Sequence, residues 1–303
     1  MWDTLYEPKF KEAAVLIMGA ILVINVIQTF LNRKDPAFKK GAASTMSWLF
    51  IVPFIFLFTG MQWPYPLAIL CIISIYGAKN FFQMTGMYHR SNFVWATYLV
   101  IIFSSYCIYK DYIEIYNLMP MFMFMVICLI PLLRNSYKHM VQYKALSLMN
   151  FCFLWAFLHL GWILKMDGGV YTVIYIIMLT EFFDTVYLSI SRYLKNFKLI
   201  SNITPKRSLE GFILAGMITV FLGWGMRHLL PVRTEFYWVA VSLTCVLFGS
   251  TGDSVLAVVR RDLGIKVTET FILGRGDFFS RLDRLVFVAP IAHYVLFLLG
   301  DLQ

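Results

Sequence analysis

Charge is what this sequence has least of. Asp, Glu, Lys and Arg make up 14% of its 303 residues, against about 25% in a soluble globular domain. That deficit excludes an ordinary water-soluble fold, and a hydrophobic content of 60% points the same way. Short segments of alternating polar and apolar residues are also missing, which excludes a membrane β-barrel. No Cys-x-x-Cys pair occurs among the five cysteines, Cys71, Cys107, Cys128, Cys152 and Cys245. All five sit inside apolar runs, so packing is expected rather than a disulfide framework or a metal site. His89, His139, His228 and His293 lack metal-ligand spacing. GxSxG elbows, Walker loops and HExxH pairs are absent. No Gly/Ser/Pro linker and no fixed-period repeat divides the chain, so a single integral domain over 1–303 is expected. A cleavable leader is not expected either. Asp3, Glu7 and Glu12 mark the start, and no small-residue cleavage site follows the first apolar run.

What the sequence does have is runs of about twenty apolar residues, the length that crosses a hydrocarbon core. They predict an all-α, polytopic membrane protein with about ten spans. The spans lie near 13–32, 46–62, 65–84, 92–109, 115–133, 146–165, 169–190, 209–229, 236–256 and 284–300. Lys79 and Asn80 fall near the end of the third and weaken it. The formal net charge of +9 is spread over short loops, which argues against nucleic acid and for orientation by positive charge and contact with anionic lipid. Odd-numbered loops carry most of the lysines and arginines, while even-numbered loops carry only Lys110, Lys165, Arg227 and Arg233. The odd loops are therefore expected in the cytoplasm and both termini outside.

Two polar islands interrupt the apolar runs and flank one hydrophobic hairpin. The first, Asn202 to Gly211, reads NITPKRSLEG. Thr204 followed by Pro205 is expected to cap and open a helix. With Lys206 and Arg207 beside it, that helix start suits an anion. The second runs from Phe248 to Leu285 and gathers Asp253, Arg260, Arg261, Asp262, Lys266, Asp277, Arg281 and Asp283. Asp253 and Arg260 are two helical turns apart on one face. A carboxylate among guanidiniums suits a magnesium-bound polyphosphate, with Asp277 and Asp283 as further oxygen ligands. Gly274 and Gly276 favour a close backbone approach to a ligand. In span seven, Glu181 and Asp184 share a face, so they are expected to meet a cavity or an arginine partner. His159 and Trp162 share a face of span six and are expected to pack.

These islands resemble the phosphatidate cytidylyltransferases (CDP-diacylglycerol synthases). Thr204-Pro205-Lys206-Arg207-Ser208-Leu209-Glu210-Gly211 is similar to that family's Ser-Pro-Lys-Lys-Thr-x-Glu-Gly motif. Gly252-Asp253, Arg260-Arg261-Asp262-Leu263-Gly264-Ile265-Lys266, and then Gly274, Gly276, Arg281 and Asp283 follow its C-terminal signature in order and spacing. The motif-bearing part covers about 170–300. The resemblance implies a magnesium-dependent enzyme of the bacterial inner membrane, with its site on the cytoplasmic face. It implies transfer of CMP from CTP to phosphatidic acid, giving CDP-diacylglycerol and pyrophosphate, and it suggests a homodimer. Asp253, Glu210 and Asp184 take catalytic positions. Thr204, Lys206, Arg207, Ser208, Arg260, Arg261, Lys266 and Arg281 take substrate-binding ones. Asp253 and Asp283 take metal-binding ones, and Asp277 joins them only as the oxygen ligand read above from the residues themselves. The chain departs from the family at Asn80, Phe183, Val267, Arg275, Asp277 and Ser280. Ser280 stands where the family carries a metal-binding acid, and Asp277, three residues earlier, stands where it carries glycine. Two readings follow: a rewired site using Asp277, or a catalytically degenerate member that binds lipid or a membrane partner.

Overall fold

The computed structural model describes residues 7–34, 49, 51–133, 140–194, 207–231, 235–262 and 279–300. Each predicted span has a helix at its place. These are α1 (Pro8–Lys34), α2 (51–59), α3 (Tyr65–Met84), α4 (Ser91–Tyr109) and α5 (Ile113–Leu133). They continue with α6 (Met140–Lys165), α7 (Gly169–Tyr193), α8 (Leu209–Met226), α9 (Glu235–Asp262) and α10 (Phe279–Gly300). Eight of them, α3 to α10, are long and apolar enough to cross a membrane. Helix is the dictated answer for such runs, because a bilayer offers backbone N–H and C=O groups no water. Lys79 and Asn80 do not break α3, which runs on to Met84.

Helices α3 to α6 pack on one another, and so do α7 to α10. Helix α6 joins the two groups, lying against α3, α4, α5, α7 and α10. It is the most enclosed span, 72% buried, whereas α5 and α8 reach only 28% and form the rim. Several hydroxyls inside the spans are satisfied locally. The hydroxyls of Ser74, Thr97, Ser104 and Thr219 each donate to the carbonyl one turn back. Asn150 Nδ2 donates to the Ala78 carbonyl (3.2 Å) and pins α6 to α3. The Tyr116 hydroxyl donates to the Trp155 carbonyl (2.6 Å) and the Trp155 indole N–H to the Tyr116 carbonyl (2.9 Å), tying α5 to α6. His159 is buried in that aromatic cluster, its ring against those of Tyr116, Trp155, His293 and Tyr294.

Helix α8 is seated by small residues. Gly211, Ala215, Thr219 and Gly223 recur every fourth position and all are buried. Such a stripe lets neighbouring helices approach closely in lipid, where burial from water supplies no drive. A Cβ at Gly223 would lie 2.3 Å from Ser242 Oγ and 2.7 Å from the Tyr175 hydroxyl. Ile213, Met217 and Phe221 point away from the bundle and are exposed.

Candidate active site

The two polar islands meet at one end of the α7–α10 group. Helix α7 supplies the acids. Glu181 and Asp184, three residues apart, both face inward, 6% and 4% exposed. Burying two carboxylates in a membrane helix requires cations, and the islands provide them. Arg207 Nη2 donates to Asp184 Oδ1 at 2.8 Å. Arg284, in the second turn of α10, reaches the other oxygen, with Nη2 2.9 Å from Asp184 Oδ2. Its Nη1 lies 2.5 Å from Glu181 Oε2. Asp184 is thus held between two guanidiniums from two different islands. Arg207 also donates to the Ser250 carbonyl of α9 (3.4 Å) and stands 5.1 Å over the Tyr187 ring.

Local sequence explains this assembly. Ser208 has extended backbone and its Oγ accepts from the Gly211 N–H at 3.1 Å, so Ser208 is the N-cap of α8. The expected cap, Thr204, lies outside the described residues and the helix begins beyond it. Ser208 wins because its hydroxyl reaches an orphan N–H of the first turn, where Glu210 also suits the positive helix end. A Cβ at Gly211 would lie 2.3 Å from Ser191 Oγ, so only glycine brings this cap against the end of α7. Gly252 plays the same part between α9 and α10. A Cβ there would lie 1.9 Å from the Asp283 carbonyl oxygen, so the backbones of Gly252-Asp253 and Asp283-Arg284 are in contact.

The predicted residues divide as follows. Asp184 and Arg207 are brought together, Ser208 follows Arg207 at the cap of α8, Asp283 meets Gly252 through its backbone, and all four are buried. Asp253 and Arg281 take their places on α9 and α10; their side chains lie outside what is described. Arg260 and Arg261 close α9, and Arg260 keeps Nε and Nη2 buried without a hydrogen-bond partner among the described residues. Glu210 Oε2 is buried and unpartnered in the same sense. Thr204, Lys206, Lys266 and Asp277 fall outside the described residues, as do Val267 and Arg275. No group of three or more His, Cys, Asp or Glu ligands forms among the described residues. Three side chains absent from the predicted site belong to it: Arg284, Glu181 and Tyr187. Glu181 was legible as a buried acid in need of a cation. Arg284 was legible only as one loop arginine among several.

A family model described as the cytidylyltransferase family matches residues 42–299. The chain belongs to the cytidylyltransferase family. It is 23% identical over 299 residues to the uncharacterized protein YnbB of Escherichia coli, covering 94% of this chain and 97% of that protein. It is 25% identical over 130 residues to a phosphatidate cytidylyltransferase of Staphylococcus aureus. That match takes in 42% of this chain and 50% of the enzyme. A Staphylococcus haemolyticus phosphatidate cytidylyltransferase gives 26% over 139 residues, 43% of the chain and half of the enzyme. The chain is therefore an integral membrane protein of a transferase family.

Proposed function

We propose that this cytidylyltransferase transfers CMP from CTP to phosphatidic acid. A lipid phosphate oxygen attacks the α-phosphorus of CTP, a new P–O bond forms, the α–β bridge breaks, and pyrophosphate leaves. The observation that carries the reading is the convergence of both islands on Asp184 through Arg207 and Arg284. Chemistry of this kind needs positioning and charge neutralisation more than covalent participation. Arg260 would receive phosphate oxygens, a role supported by Nε and Nη2 being buried and unpartnered among the described residues. Glu210, with Oε2 buried and unpartnered among the described residues, adds an acid to the Glu181–Arg284–Asp184–Arg207 network. Carboxylates are the hard oxygen donors that magnesium takes, and Asp253, Asp283 and Asp277 would hold it. Bound there, magnesium would neutralise triphosphate charge.

Ser280 and Val267, in place of acids, favour a second reading as a degenerate member that binds lipid or a membrane partner. One assay separates them. Purified protein given CTP, magnesium and phosphatidic acid is expected to form CDP-diacylglycerol. Asp277→Ala is expected to abolish it, while Ser280→Asp adds nothing. Absence of CDP-lipid from the unmodified protein refutes the enzyme reading, and synthesis that survives Asp277→Ala refutes the part given to Asp277.

We place the site at the cytoplasmic face of a bacterial inner membrane. The support is the concentration of Lys and Arg in the odd-numbered loops. Lys198→Cys and Lys266→Cys are expected to resist impermeant thiol reagents in intact cells and to react after permeabilisation. Ready labelling in intact cells reverses the orientation.

A further inference from the structure

On the outer flank of the site, α8 and α9 enclose an apolar groove of about 560 Å³. Phe212, Gly216, Met217 and Trp224 line one wall, and Trp238 and Leu247 the other. We propose that this groove seats one acyl chain of the phospholipid substrate, an inference that rests on the lipid-phosphate reading of the Arg207 cluster. Three features select this occupant. The first is continuity with the cations. Phe212 packs edge-on against Phe183 (5.5 Å) and Tyr187 (5.7 Å), and Arg207 stands over Tyr187. A phosphate held by the arginines therefore has the groove mouth beside it. The second is length. Phe212 to Trp224 spans ~18 Å at the helical rise, and one acyl chain fills half of a core about 30 Å thick, or ~15 Å. The third is floor geometry. At Gly216 the two helices close on one another, a Cβ there lying 3.1 Å from Val246 Cγ1, so the contact of α8 with α9 forms the groove floor and the groove opens outward to lipid. Met217 and Phe221 stand at the rim, exposed.

The chain enters this groove from lipid, not from water, so packing sets the preference and its size is modest. Phosphatidic acids carrying a photoreactive diazirine test the proposal in bilayer nanodiscs, with no CTP and no turnover. A probe at the chain end is expected to label the α8 and α9 segments bearing Trp224 and Trp238. A probe near the carboxyl is expected to label the segment at Phe212. Met217→Trp, which fills the groove without touching the arginines, is expected to cut chain-end labelling there about fivefold. Chain-end labelling spread evenly over the exposed faces of α4 and α5 overturns the groove. So does efficient disulfide pairing of two copies through Met217→Cys, which makes this face an interface between copies. Focused labelling in a protein that forms no CDP-lipid leaves the groove standing and removes only the reaction. Synthesis with dispersed labelling does the reverse.

Discussion

Asp184→Ala is expected to lower stability by about 3–5 kcal/mol, the range for breaking a buried ion pair from one side. The carboxylate lies 2.8 Å from Arg207 and 2.9 Å from Arg284, and it is 4% exposed. Removing it takes an acid from two guanidiniums at once, Arg207 buried and Arg284 half-buried. The cost arises from the charges left behind rather than from the net worth of the pair. Two further variants separate those causes. Asp184→Asn keeps the shape and an acceptor oxygen but not the charge, so it is expected to fall between wild type and alanine. Asp184→Leu combined with Arg207→Met removes charge of both signs, and should recover much of the loss. Thermal unfolding of the detergent-solubilised protein reads all three. An Asp184→Ala protein as stable as the wild type, or a double variant no better than Asp184→Ala, refutes this account of the network.

Much of the architecture was legible because lipid leaves the chain few choices. A run such as Met119 to Leu133 has no polar group to spare for a loop, and its helix follows from that alone. Boundaries were less legible. Helix α9 continues six residues past its predicted end, because Ala257, Val258 and Val259 prolong the apolar stretch and Arg260 and Arg261 suit the negative end of the helix. The N-cap of α8 was misplaced for a related reason. Thr204-Pro205 and Ser208 both carry capping chemistry, and Ser208 is the one whose turn packs on Ser191 of α7, a tertiary contact that local sequence does not show. At the site, the need of Glu181 and Asp184 for cations could be read from burial physics. Which arginines answer it could not, since that depends on how α10 crosses α9 at Gly252. The pairing of Arg284 with both acids is a product of that crossing and leaves no trace in local sequence.

The same crossing underlies the expectation for Asp253. Its backbone sits on α9 directly after Gly252, where α9 touches the Asp283 carbonyl. Arg260, with nitrogens unpartnered among the described residues, lies two turns further along the same helix. Position 253 therefore lies on α9 between the contact with α10 and Arg260, where a triphosphate would arrive under the proposed function. Asp253→Asn preserves shape and hydrogen-bonding capacity and removes one negative charge. Folding should be retained, because Asp184, Arg207, Arg284 and Glu181 pair with one another without it. Turnover should not be retained. Loss of one charge contact in a preorganised site costs about 3 kcal/mol of transition-state stabilisation, on the order of a hundredfold in rate. The loss should appear in kcat, with thermal stability unchanged. Arg281→Ala is the contrasting case. A cation that holds substrate phosphate in the ground and transition states alike raises KM and leaves kcat nearly intact. If Asp253→Asn instead raises KM alone, Asp253 binds substrate rather than the reacting centre. If it turns over CTP and phosphatidic acid as fast as the wild type, Asp253 has no place in the site.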